Sequence, residues 1–238
     1  MCKDTVILGG YMLMLASKKK HWTKFGIGSE GIISASNCIC DEIIGDWILK
    51  WHSNHRELTT EYNDKLLKLS RQKMNELIEE TNTLFDINKF GVAHMFTDIS
   101  LAREIYQKYF RHINGIRLIG IGLKEDEYEI FRDEEEIEKD IHGYYGVNVC
   151  FNNREVMNIS NIIGYDVLGY DWGYFHSYLC NGLEEDIYER LGIKPKHNGL
   201  YSTYDEVVKI INLIDNEIVE PEPALWQPWI VCEYELDK

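Results

Sequence analysis

The sequence predicts an α+β protein: a mixed sheet with several packed helices, forming one globular unit. Two observations predict it. Apolar runs of strand length recur near the start, middle and end of the chain, at residues 5–15, 116–123 and 229–236. Between them lie stretches with helical periodicity, and the spacing is too uneven for the regular βαβ alternation of a doubly wound parallel sheet. A chain of 238 residues, 45% hydrophobic and 12% aromatic with four prolines, is far from the composition of disorder. At that length it buries about 70% of its unfolded surface without needing disulfides or metals. Residues 1–238 are read as a single α+β domain, with a possible sub-division near 141–147, where His142-Gly143-Tyr144-Tyr145-Gly146 follows a long acidic run.

The elements follow in order. Residues 5–15 (TVILGGYMLML) read as a buried strand, with Gly9-Gly10 marking a bulge or a close backbone approach. Lys18-Lys19-Lys20-His21 is the one basic cluster and reads as a loop. A strand over 31–40 and a helical turn over 46–52 are expected next. Residues 58–85 predict the longest helix. Tyr62, Leu66, Leu69, Met74, Leu77, Ile78, Leu84 and Phe85 recur near the 3.6-residue period, and no glycine or proline interrupts. A short strand over 92–96 precedes a helix over 99–112 that starts near Asp98. Residues 116–123 (IRLIGIGL) are the clearest buried strand.

Ten acids crowd residues 124–140, and Tyr128, Phe131 and Ile137 give that segment a thin apolar edge, as expected for an exposed helix or a partly ordered loop. Residues 148–172 alternate enough for one or two strands, including 165–170. Two helices close the chain's last third. Asn181 with Glu184 three residues on caps the first, which Gly192 ends, and Thr203-Tyr204-Asp205-Glu206 opens the second as a capping box. A proline-rich turn (Pro221, Pro223, Pro228) leads to a final strand over 229–236.

Charge narrows the function. Forty acidic against 25 basic side chains give a formal net charge of −15. Nucleic acids and anionic membranes repel such a surface, because their affinity for proteins comes from cations that displace counterions. Basic proteins or cations are the charged partners that fit, since complementary fields speed encounter. The six cysteines, Cys2, Cys38, Cys40, Cys150, Cys180 and Cys232, show no disulfide-framework spacing. The first residues carry no signal-peptide pattern, and no apolar span reaches membrane length, so a reducing, cytoplasmic setting is expected.

No motif fixes a reaction, and four constellations carry chemistry to be tested. Gly26-Ile27-Gly28-Ser29-Glu30-Gly31 matches the dinucleotide-loop pattern in form, but a polar segment and not a buried strand precedes it, so a plain loop is expected and no cofactor is called for. Cys38, Cys40, His52 and His55 are the right residue types for a tetrahedral zinc site. Their spacing is cramped and core-like residues intervene, so no metal is expected there. Residues 165–181 (YDVLGYDWGYFHSYLCN) bring Asp171, His176, Ser177 and Cys180 close in sequence. These are residue types for general-base activation of a hydroxyl or thiol, and a helix there would set His176 and Cys180 one turn apart. The same segment carries Tyr170, Trp172 and Tyr174, side chains that commonly anchor protein interfaces. Glu134, Glu135, Glu136 and Glu138 of the acid run complete a candidate partner-binding surface.

In composition the chain is similar to bacterial toxin-neutralising proteins of the immunity or antitoxin kind: acidic, rich in tyrosine and isoleucine, and without catalytic motifs. That likeness implies a cytosolic binder that inhibits a basic toxin or nuclease. The alternative is a hydrolase or transferase acting on a small molecule around Asp171, His176 and Cys180.

Overall fold

The computed structural model describes residues 5–15, 24–36, 38–39, 63–87, 89–90, 95–134, 150–151, 153–171 and 174–237. Five strands form one sheet: β1 (Val6–Leu15), β2 (Ile116–Lys124), β3 (Ile162–Asp171), β4 (Tyr174–Ser177) and β5 (Leu225–Tyr234). Their spatial order is β1-β2-β5-β3-β4, and all four pairings are antiparallel. The expected α+β class is realised as one globular unit. The basic cluster at 18–21, the helical turn at 46–52 and the sub-division at 141–147 lie outside the described residues.

The Gly9-Gly10 pair does what its sequence suggests. The β1–β2 register skips between Leu8 and Gly10, leaving Gly9 in a bulge. A Cβ on Gly9 would stand 2.8 Å from the Trp229 ring. Opposite Leu8, Gly122 has no room for a side chain either, because its Cβ would meet the Ile7 carbonyl oxygen at 2.6 Å. β5 begins earlier than expected and runs through Pro228. Proline is tolerated because β2 pairs with β5 only as far as Ile230, so Pro228 has a strand neighbour on one side alone.

The long helix expected over 58–85 is shorter. Residues 63–67 form a π-type turn, Lys68 takes a left-handed φ of 51°, and α1 (Arg71–Asp86) starts afresh after Ser70. Asn63 drives the break: its side chain donates to the Leu69 carbonyl at 2.9 Å and accepts from the Leu69 amide at 3.0 Å. Ser70 then caps α1 through the Lys73 amide. α2 (Ile99–Ile105) is capped by Asp98, as its sequence predicts, and runs into a π-type turn, Tyr106–Phe110. Of the strand expected over 92–96, Phe96 makes single bridges to Tyr11 and Phe90, and 92–94 are outside the described residues. The strand expected over 31–40 is absent among the described residues apart from one bridge at Ile32. Gly31 is left-handed there and Ser34 turns its hydroxyl to the Ser36 amide.

α3 (Glu125–Glu134) follows β2 without a break. α4 (Glu184–Leu191) ends on Gly192 at a φ of 68°. The expected Asn181 cap is not made. The side chain instead holds Glu222, donating to Oε1 at 2.9 Å and accepting from the backbone amide at 2.7 Å. α5 (Tyr204–Asp215) opens with the predicted capping box, in which Thr203 Oγ1 accepts from Glu206 and Glu206 Oε2 accepts from Thr203. Thr203→Ala should lower stability by about 1 kcal/mol, read as a lower urea midpoint at unchanged slope. An unshifted midpoint would mean the helix is held by packing alone.

Both faces of the sheet are covered. One face carries Met12, Ile119, Ile121, Leu168, Tyr170, Phe175, Trp229 and Val231, closed by Tyr128 of α3 with Phe151 and Ile33. The other is shared. Towards β1, α1 and α2 pack Met74, Leu77, Ala102 and Ile105 over Leu8, Leu13 and Leu118. Towards β3, α4 and α5 pack Ile187, Val207 and Ile210 over Val167 and Trp226.

Candidate functional site

The chemistry-bearing segment of residues 165–181 is a hairpin followed by turns, not a helix. β3 and β4 pair Asp171 with Tyr174 and Gly169 with His176, which puts Asp171, Tyr174 and His176 on one face. Ser177 is paired with Leu168 on the opposite face. It is fully buried, and its hydroxyl accepts from the Leu179 amide at 3.2 Å. Asp171, His176 and Ser177 are therefore not brought together. Cys180 sits in the turn beyond β4 with its side chain exposed, so the one-turn helical relation to His176 does not arise. His176 Nδ1 instead lies 2.7 Å from Glu222 Oε1, the carboxylate that Asn181 holds in place.

Of the aromatic anchors, Tyr174 is exposed and Tyr170 is buried against Phe175, ring centroids 5.3 Å apart. Strand alternation explains this: Tyr170 shares the inner face with Leu168, whereas Tyr174 opposes Asp171. Trp172 is outside the described residues, as are Glu135, Glu136 and Glu138. Glu134 is the last residue of α3. Cys40, His52 and His55 are also outside them, and Cys38 is exposed in a turn. Among the described residues no group of three or more histidine, cysteine or acidic side chains is arranged to hold a metal. None of Cys38, Cys150, Cys180 and Cys232 is in a disulfide. No helix among the described residues is long and apolar enough to cross a membrane.

The glycine loop at 26–31 spends its amides internally: Gly28 donates to the His197 carbonyl at 2.7 Å, and Gly31 to that of Gly28 at 3.1 Å. Among the described residues no helix opens directly after it, over residues 31–36, as the dinucleotide geometry would require.

Two clefts flank β5. The larger, about 770 Å³, is lined by Tyr11, Arg103, Asn158, Asn161, Glu233 and Tyr234, among others. Several of its polar groups are bonded to one another or to neighbours. Arg117 grips Glu233 with two bonds of 2.6 and 2.7 Å, Arg103 Nε donates to the Glu235 carbonyl at 3.0 Å, and the Tyr234 hydroxyl donates to the Asn158 carbonyl at 2.6 Å. Burial also pushes the Tyr11 phenol up to about 12, so it stays protonated.

The smaller cleft, about 510 Å³, is a groove between α3 and α5 at the start of β5. Glu127 and Ile130 line it from α3, one turn apart. Val208, Ile211, Asn212 and Asp215 form a helical stripe on the α5 side, and Leu225 and Pro228 lie between. Here the polar groups are not all satisfied. Glu127 Oε2 is buried and has no hydrogen-bond partner among the described residues. Ile130 is 51% exposed, a large apolar side chain left in water. The α3 wall is itself held firmly: Arg154 bonds Glu125 at 2.5 Å and Glu129 at 2.6 Å and lies over the Tyr128 ring.

A buried carboxyl, that of Asp166, lies in the core. Asp166 is 2% exposed, with Ser34 Oγ donating to Oδ2 at 3.0 Å and the Val167 amide to Oδ1 at 2.9 Å. Burial outweighs both bonds and pushes its pKa up to about 8.

Sequence reasoning placed Glu127 in the acid run but did not single it out. It passed over Ile130 and Asp166. Comparison with known proteins finds no match: no family model, no curated protein and no solved structure.

Proposed function

We propose that this protein binds a basic protein partner and neutralises it, as an immunity or antitoxin-type inhibitor of a basic toxin or nuclease does. The observation that carries the reading is the α3–α5 groove, with carboxylates on its walls and apolar side chains between them, on a chain of formal net charge −15. The long-range field would raise the rate of encounter with a cationic protein, and burial of apolar surface in the groove would slow its release. At physiological salt the field is screened beyond about 8 Å, so capture should weaken as salt rises.

Affinity capture from the source lysate at low and high salt, read by mass spectrometry, tests this. One stoichiometric basic protein, lost at high salt, is the expected result. Reversing Glu134, Glu135, Glu136 and Glu138 to lysine should weaken that capture in a salt-sensitive way. An empty lane at both salts would remove the reading.

The second reading, a hydrolase or transferase, draws on one observation: His176 Nδ1 lies 2.7 Å from the Glu222 carboxylate, although the pair lacks the alignment of a hydrogen bond that would orient a general base. It lacks a nucleophile on the same strand face, since Ser177 points into the core.

A further inference from the structure

We infer that the α3–α5 groove receives a lysine or arginine side chain set among apolar residues of the partner, with Glu127 as its counter-ion. The inference deepens the binding reading above and rests on it.

A carboxylate oxygen removed from water without a donor is costly, and Glu127 Oε2 is in that state among the described residues. An incoming ammonium or guanidinium supplies the missing donor and the opposite charge together. The rest of the groove selects the same sign. α5 ends at Asp215, which lines the groove with Asn212 and Ile214 one turn or less before it. The negative end of that helix dipole therefore lies beside a second carboxylate, and no basic residue occupies its last turn. Phosphate and carboxylate ligands meet the Glu127 carboxylate on one wall and the negative end of α5 on the other.

The apolar part of the occupant follows from Ile130, Val208, Ile211, Leu225 and Pro228 around the acids. The α5 stripe from Val208 to Asp215 is about 10 Å long at 1.5 Å per residue, enough for roughly two turns of a docked helix. An amphipathic segment with a cation flanked by apolar side chains matches that length and pattern.

The test uses the full chain and a fluorescent amphipathic peptide of leucines and arginines at helical spacing, with a copy carrying glutamates in place of the arginines. Anisotropy should show binding of the arginine peptide only. Glu127→Gln should weaken it by about tenfold, whereas Glu189→Gln, on exposed α4, should leave it unchanged. The same Glu127→Gln chain, alone, should melt about as high as the parent or a few degrees higher, because Oε2 makes no hydrogen bond that the substitution would remove. That combination of weaker binding without lost stability is what a merely structural glutamate would not give.

Equal affinity in the parent and Glu127→Gln, equal binding of the glutamate peptide, or no binding of either peptide overturns the inference. So does a dimer, seen by light scattering, that Ile130→Asp dissolves, since the groove would then hold a second copy. If lysate capture of a basic protein survives Glu127→Gln and Ile130→Asp unchanged, the groove assignment fails and the functional reading stands. If the arginine peptide binds through Glu127 but no protein is captured, the functional reading fails and the groove chemistry stands.

Discussion

Asp166→Asn should leave stability unchanged at pH 4 and raise it by several kcal/mol at pH 8. Folding lifts the Asp166 pKa from an ordinary 3.8 to about 8, because the side chain is buried and its two hydrogen bonds offset only part of the lost hydration. Between those two values the folded protein holds a proton that the unfolded chain has released. Stability attributable to this group is therefore complete below about pH 4 and is lost as pH rises towards 8. Above that, both states are ionised and the loss is constant. At about 1.36 kcal/mol per unit, the full span corresponds to roughly 6 kcal/mol. Asparagine reproduces the shape and hydrogen-bonding capacity of the protonated carboxyl without ever charging. Urea titrations of both chains from pH 4 to pH 9 should coincide at the acid end and diverge steadily to pH 8. Parallel curves would mean that Asp166 ionises in the fold at little cost.

Trp229→Ala should cost about 3–5 kcal/mol, the range for an aromatic ring removed from a closed core. The ring is fully buried at the centre of β5, stacked on Phe151 at 6.0 Å and met edge-on by Phe175 at 5.1 Å. Gly9, in the β1 bulge, leaves the space its edge fills. The residue thus ties β1, β4 and β5 together through one side chain, and no neighbour can collapse into the void without moving a strand. Chemical denaturation gives the value. A loss under about 1 kcal/mol would show that the surrounding rings repack freely.

Features carried by adjacent residues were legible in the sequence. The Gly9-Gly10 bulge, the Asp98 cap, the Gly192 stop and the Thr203–Glu206 capping box each depend on a few neighbouring positions, and each is present. The misreadings came from competition. Asn63 breaks an otherwise periodic helix by binding Leu69, and Asn181 gives up its cap for Glu222, 41 positions away in sequence. The repeated Gly-Tyr-Asp of β3 held a signal that went unused. Its two copies are five residues apart, an odd step that sends Asp166 and Asp171 to opposite faces of a strand. The groove was out of reach for a different reason. Its walls come from α3, α5 and the start of β5, and no local pattern announces that Glu127 and Asp215 will line one groove.

The strand order has a consequence for how the chain is made. β5 follows the other four strands in the chain, lies between β2 and β3 and, among the described residues, is the one strand joining the β1–β2 pair to the β3–β4 hairpin. Until it emerges, the nascent sheet is two separate ribbons, each with an unpaired, apolar edge that another polypeptide could zip onto. Synthesis therefore passes through a stage at which the other four strands exist and this sheet cannot close, so chaperone dependence and inclusion-body formation should be governed by β5 more than by the length already translated.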